Sequence, residues 1–197
     1  MTTSYTKHLR ILEIIALHGR ISSYKLSTEL GVSVGHAQWW LQNHPEIMEV
    51  DRDPKGRRTV WYGLSMIGFL LALKRPKVKR NFAWVFEKFL SNQKELKNEA
   101  ILMRNTLNAL KSSELSEKFK QYFLGISKAL DNLTDIYSLD DDTLFELATL
   151  LAFKQDERMF KNFRDLYLAD VLLFKGVVRA FQTIAINFEK FVRSETK

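Results

Sequence analysis

The sequence predicts a mostly α-helical protein in two parts. A set of short helices with a two-stranded hairpin comes first, and an all-helical C-terminal domain follows. Three observations carry this. Apolar residues over 4–44 recur at intervals of three and four within short, capped segments. Asp53-Pro54-Lys55-Gly56 has the residues of a type I turn and separates two β-type runs. Beyond residue 81 the apolar spacing settles into a sustained alternation of four and three.

The first helix is expected over residues 4–18, with Leu9, Leu12, Ile15 and Ala16 on its inner stripe and Gly19 as its stop. "RIS" follows as a short extended piece. Ser22 or Ser23 can cap a second helix that ends near Leu30, with Leu26 and Leu30 inward. Gly31 permits the positive φ of a tight turn. Ser33 can cap a third helix to about Asn43. Its inward positions are Ala37, Trp40, Leu41 and His44. Trp39 lies about 100° from Trp40 around the helix. It therefore falls on the outer face, with Gly35, His36, Gln38 and Gln42. "IMEVD" and "TVWYGL" read as strands joined by the loop "RDPKGRR", and Ser65 can cap a helix from Met66 to about Leu73.

This order resembles the winged helix-turn-helix superfamily of transcriptional regulators over residues 5–73. The residues that carry the resemblance are "KLSTELGVS" (25–33), the basic tip "RDPKGRR" (52–58) and "WYGLSMIGFLL" (61–71). The spacing of Gly35 and Leu41 resembles the PadR-like branch, although His36-Ala37-Gln38-Trp39 departs from it. The resemblance implies that the third helix enters a DNA major groove and the wing reaches the backbone or minor groove. The DNA-binding residues expected are Ser33, Val34, Gly35, His36, Gln38, Trp39 and Gln42 on the third helix, with Ser23, Tyr24 and Lys25 at the start of the second, where backbone N–H groups can meet a phosphate. Arg52, Lys55, Arg57 and Arg58 in the wing complete the set. No Arg or Lys lies between Gly31 and Asp51, so the commonest base contact, arginine to guanine, is absent from the third helix. Phosphate contacts are then expected to supply most of the affinity.

Charge placement agrees. Residues 1–80 carry 13 Lys/Arg against 6 Asp/Glu, whereas residues 81–197 carry 17 of each. The net charge of +7 therefore sits in the first part, as a polyanion partner requires. All fourteen Phe lie at or after Phe69, and all four His at or before His44. We therefore expect a DNA-binding domain over 1–74, a basic linker over 75–80 and a helical dimerisation or effector domain over 81–197.

In that last part, positions 82, 86, 89, 93, 96, 100, 103, 107 and 110 are apolar except for Gln93. This predicts one helix of about 29 residues, ~43 Å long. Phe82, Phe86, Phe89, Gln93, Leu96, Met103 and Leu107 would form a homodimer seam, joined by Phe181 and Phe188 of the last helix. Leu115, Phe119, Tyr122, Ile126, Ala129, Leu133 and Ile136 repeat the spacing. "SLDDD" (138–142) can break and cap. Residues 143–154 are apolar nearly all round, which predicts a buried helix, and a last helix is expected over about 156–193 with Asp170 in its apolar seam and a bend near Gly176.

The absence of cysteine excludes disulfides and thiol chemistry. No phosphate-cradling glycine loop, catalytic triad pattern or zinc-ligand spacing is present, so neither enzymatic activity nor a metal or other cofactor is expected. "MTTSYTKHLRILEIIALHG" is amphipathic and charged, unlike a signal peptide, and the longest apolar run lies within Met66–Leu73. No membrane partner is expected, and the location expected is cytoplasmic and nucleoid-associated. The sequence thus reads as a DNA-binding transcriptional regulator acting as a homodimer on double-stranded DNA. Two alternatives stand beside it: a winged-helix scaffold that binds a protein partner through Trp39, and an architectural DNA binder of low sequence specificity.

Overall fold

The structure, a computed structural model, describes residues 2–52, 59–93, 100–133 and 140–169, together with 178, 182 and 186. It is mostly helical, with one two-stranded antiparallel sheet. The chain begins with α1 (Thr2–His18), α2 (Ser23–Leu30) and α3 (Val34–Asn43), continues through β1 (Ile47–Arg52) and β2 (Val60–Leu64), and returns to helix in α4 (Met66–Ala72). Then follow α5 (Pro76–Arg80), α6 (Phe82–Asn92), α7 (Ala100–Lys111), α8 (Ser113–Ala129), α9 (Asp141–Gln155) and α10 (Glu157–Leu168). No described helix is long and apolar enough to cross a membrane.

The element starts follow their capping chemistry. The hydroxyls of Ser22, Ser33 and Ser65 accept from Lys25 N, His36 N and Gly68 N, which closes the first turns of α2, α3 and α4. Gly31 ends α2 at φ 65°, the left-handed value that favours glycine. Ile21 exchanges backbone hydrogen bonds with Tyr62 at 2.8 and 2.9 Å, so the expected extended "RIS" docks on the sheet as one bridge. The sheet pairs Ile47 with Leu64 and Arg52 with Val60, and a bulge falls between Glu49 and Asp51.

Helix α1 is the centre of the first part. Its Ile11, Leu12 and Ile15 are fully buried, and it touches α2, β2, α4, α5 and α6. The core does not stop there. Phe69 of α4 stacks on Phe89 of α6 at 4.5 Å and meets Phe123 of α8 edge-on at 5.6 Å. The hydroxyl of Ser127 in α8 donates to the Leu70 carbonyl of α4 at 2.7 Å inside the core.

Three expectations are corrected here. The basic stretch 75–80 is not a bare linker but folds into a short helix. Pro76 occupies the first turn of α5, where its missing N–H costs nothing, and Val78 beneath it is buried. The neighbouring Arg75 donates to the buried carboxylate of Glu13 at 2.8 Å, while Lys74 pairs with Asp131. The charges in this stretch hold α1 and the turn after α8 in place.

The 29-residue helix and its dimer seam are also revised. Helix α6 ends at Asn92, and Gln93 is extended, with φ −76° and ψ 110°. Asn92 turns its amide to the Gly19 carbonyl at 2.8 Å, tying the helix end to the end of α1. Phe82, Phe86 and Phe89 are buried in the chain's own core, against Phe69, Phe119 and Phe123. Aromatic side chains already covered by α4 and α8 have no face left for a second copy. Met103 and Leu107 pack partly buried against the same core, and Gln93 is half-buried. Leu96, Phe181 and Phe188 lie outside the described residues, as do Ile136, Asp170 and Gly176.

The later helices match their spacing in part. Phe119, Tyr122, Ile126 and Ala129 form the buried stripe of α8, and Leu133 packs partly buried below it. Asp140 caps α9, accepting from Thr143 N at 2.9 Å and from its hydroxyl at 2.7 Å. Helix α9 is not buried all round, however. Leu144, Ala148 and Ala152 face inward, while Leu147 and Leu150 are exposed, because α4, α8 and α10 cover only part of its circumference.

Phe86→Ala should destabilise the chain by roughly 3–5 kcal/mol in urea unfolding, since it empties the centre of the aromatic cluster. Arg75→Ala should cost about 2–3 kcal/mol. This is below the ~3–5 of a fully buried pair because Arg10 remains 3.5 Å from the Glu13 carboxylate.

Candidate functional site

Helix α3 presents two faces. Ala37 and Leu41 are fully buried and fix its inner side on the core, where α2 and β1 flank it. Val34, Gly35, His36, Gln38, Trp39 and Gln42 are all exposed, as the 3.6-residue period required. Ser33, at the cap, is exposed too. Trp39 is 55% exposed, and its ring meets Trp40 and His44 in T-shaped contacts at about 6 Å.

Trp40 departs from its expected place in the core. It is half-buried at the rim, stacked on His44 with ring centres 3.9 Å apart and planes 8° from parallel. Its indole N–H donates to His36 Nε2 at 3.2 Å. An indole needs a partner for that N–H, which keeps the ring at the boundary between core and water.

The start of α2 lies beside this face. Ser23 is half-buried, Tyr24 strongly exposed, and Lys25 exposed. Ser22, Ser23, Tyr24, Gln38, Thr59, Val60 and Tyr62 line a cleft of about 390 Å³ that joins the α2 start, α3 and β2. Lys25 pairs with Glu29 one turn on at 3.2 Å, and His18 reaches the same carboxylate at 3.2 Å. The Lys25 hydrogen bond holds the Glu29 carboxyl below its ordinary pKa. This exposed pair is weak and open to exchange with another anion. On the hairpin, Arg20 covers the Trp61 ring at 5.1 Å and pairs with Asp51 at 3.2 Å. Arg52 ends β1, while Lys55, Arg57 and Arg58 lie outside the described residues.

Behind α3 is a group that the sequence reading missed. His8 of α1, His44 at the C-cap of α3 and Glu46 just ahead of β1 offer ligand-type atoms all within 4.8 Å of one another. His8 Nε2 lies 3.1 Å from Glu46 Oε1, and His44 Nδ1 lies 3.8 Å from Glu46 Oε2. Glu46 is 1% exposed. Burial holds the His44 imidazole below its ordinary pKa, helped by His8 and opposed by Glu46. The separation of 36 residues between His8 and His44 matches no ligand spacing. The only sequence hint is the confinement of every histidine to the first 44 residues.

The α3 geometry sets an expected contrast. Leu41→Ala should cost roughly 2–5 kcal/mol in thermal or urea unfolding, whereas Trp39→Ala should change stability by less than about 1 kcal/mol, since half its surface already faces water.

No family model, curated protein or solved structure matches this chain.

Proposed function

We propose that residues 5–73 form a winged helix-turn-helix unit that binds double-stranded DNA, and that the protein regulates transcription. In this reading α3 is the recognition helix and the β1–β2 hairpin is the wing. The observation that carries the proposal is the division of α3. Its inner side is anchored by Ala37 and Leu41, and its whole outer face from Val34 to Gln42 is open to solvent. Among the described residues, the helices after α6 pack on α4, on α6 and on one another, with α3 absent from their main contacts.

Base reading is limited to His36, Gln38 and Gln42, of which a glutamine can pair with adenine through two hydrogen bonds. Affinity comes mainly from phosphates. Lys25 and the N–H groups at the start of α2 offer one contact region, and the basic wing sequence Arg52, Lys55, Arg57 and Arg58 another.

Fluorescence polarisation with labelled duplexes from genomic fragments tests this. The expected affinity falls steeply with salt, by about 0.9 log units per log unit for each phosphate contacted. Lys25→Ala should reduce that slope by about one, and the double change Arg57→Ala and Arg58→Ala by about two. Affinity indifferent to salt and to these changes would overturn the proposal.

A second reading is favoured by Trp39 itself. A tryptophan 55% exposed, with no cationic residue on its helix, has the character of a protein-interface anchor. Under that reading, Trp39→Ala abolishes capture of a protein partner and leaves duplex affinity unchanged. Under the DNA reading it weakens the duplex.

A further inference from the structure

We infer that His8, His44 and Glu46 form a binding site for a divalent transition-metal ion of the zinc class, behind the proposed recognition helix. The donor set is two imidazoles and one carboxylate, which suits Zn²⁺ and its neighbours in the first transition row rather than Mg²⁺ or Ca²⁺. A tetrahedral Zn²⁺ binds nitrogen and oxygen at ~2.0–2.1 Å, which places its ligands roughly 3.3 Å apart. The 3.1 and 3.8 Å separations to the two Glu46 oxygens bracket that value.

The imidazole nitrogens here are short of the partners that burial demands. Nε2 of His8 and Nε2 of His44 are both buried without a hydrogen-bond partner, despite the 3.1 Å approach of His8 Nε2 to the carboxylate. A buried His8 Nε2 lone pair facing a buried carboxylate is costly unless something joins the two. A cation held by His8 Nε2, His44 Nδ1 and the carboxylate does so, and His44 Nε2 then carries the ring proton.

The groups are also held still. The Glu46 carbonyl accepts from Ser65 N at 3.0 Å, and a Cβ added at Gly68 would stand only 2.1 Å from that same oxygen. The main chain at Glu46 is therefore clamped against the start of α4. Trp40 lies flat on His44 and 5.6 Å from His8, which limits both rings. His44 reaches solvent, so an ion can enter from that side, and the fourth position of a tetrahedron is left to water there. A bound ion would join α1, the end of α3 and the start of β1 through one centre.

The test uses the full chain, freed of metal with a chelator, and titrates Co²⁺ followed by Zn²⁺. Expected are one Co²⁺ per chain with the intense visible bands of tetrahedral coordination, and displacement of that ion by Zn²⁺. Zn²⁺ at about 100 times its Kd should raise Tm by roughly 5–10 °C. His44→Ala and Glu46→Gln should each weaken binding by ~100-fold or more, since even the outer partners of metal ligands are worth ~10–100-fold. His18→Ala, on the surface beside Glu29, should bind as the parent does. Circular dichroism checks each variant, and His44→Gln serves if His44→Ala is misfolded. Absence of saturable binding, a weak octahedral spectrum, or binding that survives both His44 and Glu46 changes overturns the inference. No DNA enters these measurements, so their failure and that of the proposed function are separate results.

Discussion

Phe69 is the side chain through which the two halves of this protein become one body. It belongs to α4, the helix that closes the hairpin segment, yet its ring stacks on Phe89 at 4.5 Å and lies 5.5 Å from Phe86 and 5.6 Å from Phe123. Four aromatic rings from α4, α6 and α8 thus form one continuous apolar mass. Aromatic pairs in offset and edge-on contact add to the area they bury. The Ser127 hydroxyl on the Leu70 carbonyl fixes the rotation of α8 against α4, since a buried hydroxyl left unpaired is costly. Remove this cluster and α1 keeps α2 and the sheet, while the later helices lose an apolar anchorage and keep the polar ties of Lys74, Asn92 and Ser127.

That mass has a directional consequence. The later helices approach from the α4 and α6 side, and α1 stands between them and α2. Among the described residues the outer face of α3 is left uncovered, since those later helices pack on α4 and α6 instead. Charge follows the same division. Arg75 and Lys74 turn inward to Glu13 and Asp131 and so belong to the frame. Lys25 stays at the surface in a weak pair with Glu29.

Helix α3 also connects two environments of opposite character. Outside, Gln38, Trp39 and Gln42 stand in water. Behind, His44 and Glu46 meet His8 where little water reaches. Trp40 sits at the boundary, bonded through its indole N–H to His36 on one side and stacked on His44 on the other. The outer face proposed to meet DNA and the inner group inferred to hold a metal are therefore linked through one half-buried ring.

Local chemistry was legible from the sequence. Ser22, Ser33 and Ser65 cap their helices, Gly31 turns left-handed, and the outward placement of Trp39 follows from the helical period, because each depends on a few adjacent residues. What depended on distant partners was not legible. A four-three spacing describes a stripe on a helix but not what covers it. Phe82, Phe86 and Phe89 fit a dimer seam or an internal core equally well until α4 and α8 are seen to cover them. Arg75 reads as the start of a basic linker until Glu13 arrives from 62 positions away to pair with it. His8 and Glu46 acquire meaning only when the fold brings His8 beside His44 at the end of α3, because tertiary packing alone sets the distance between side chains so far apart in the chain.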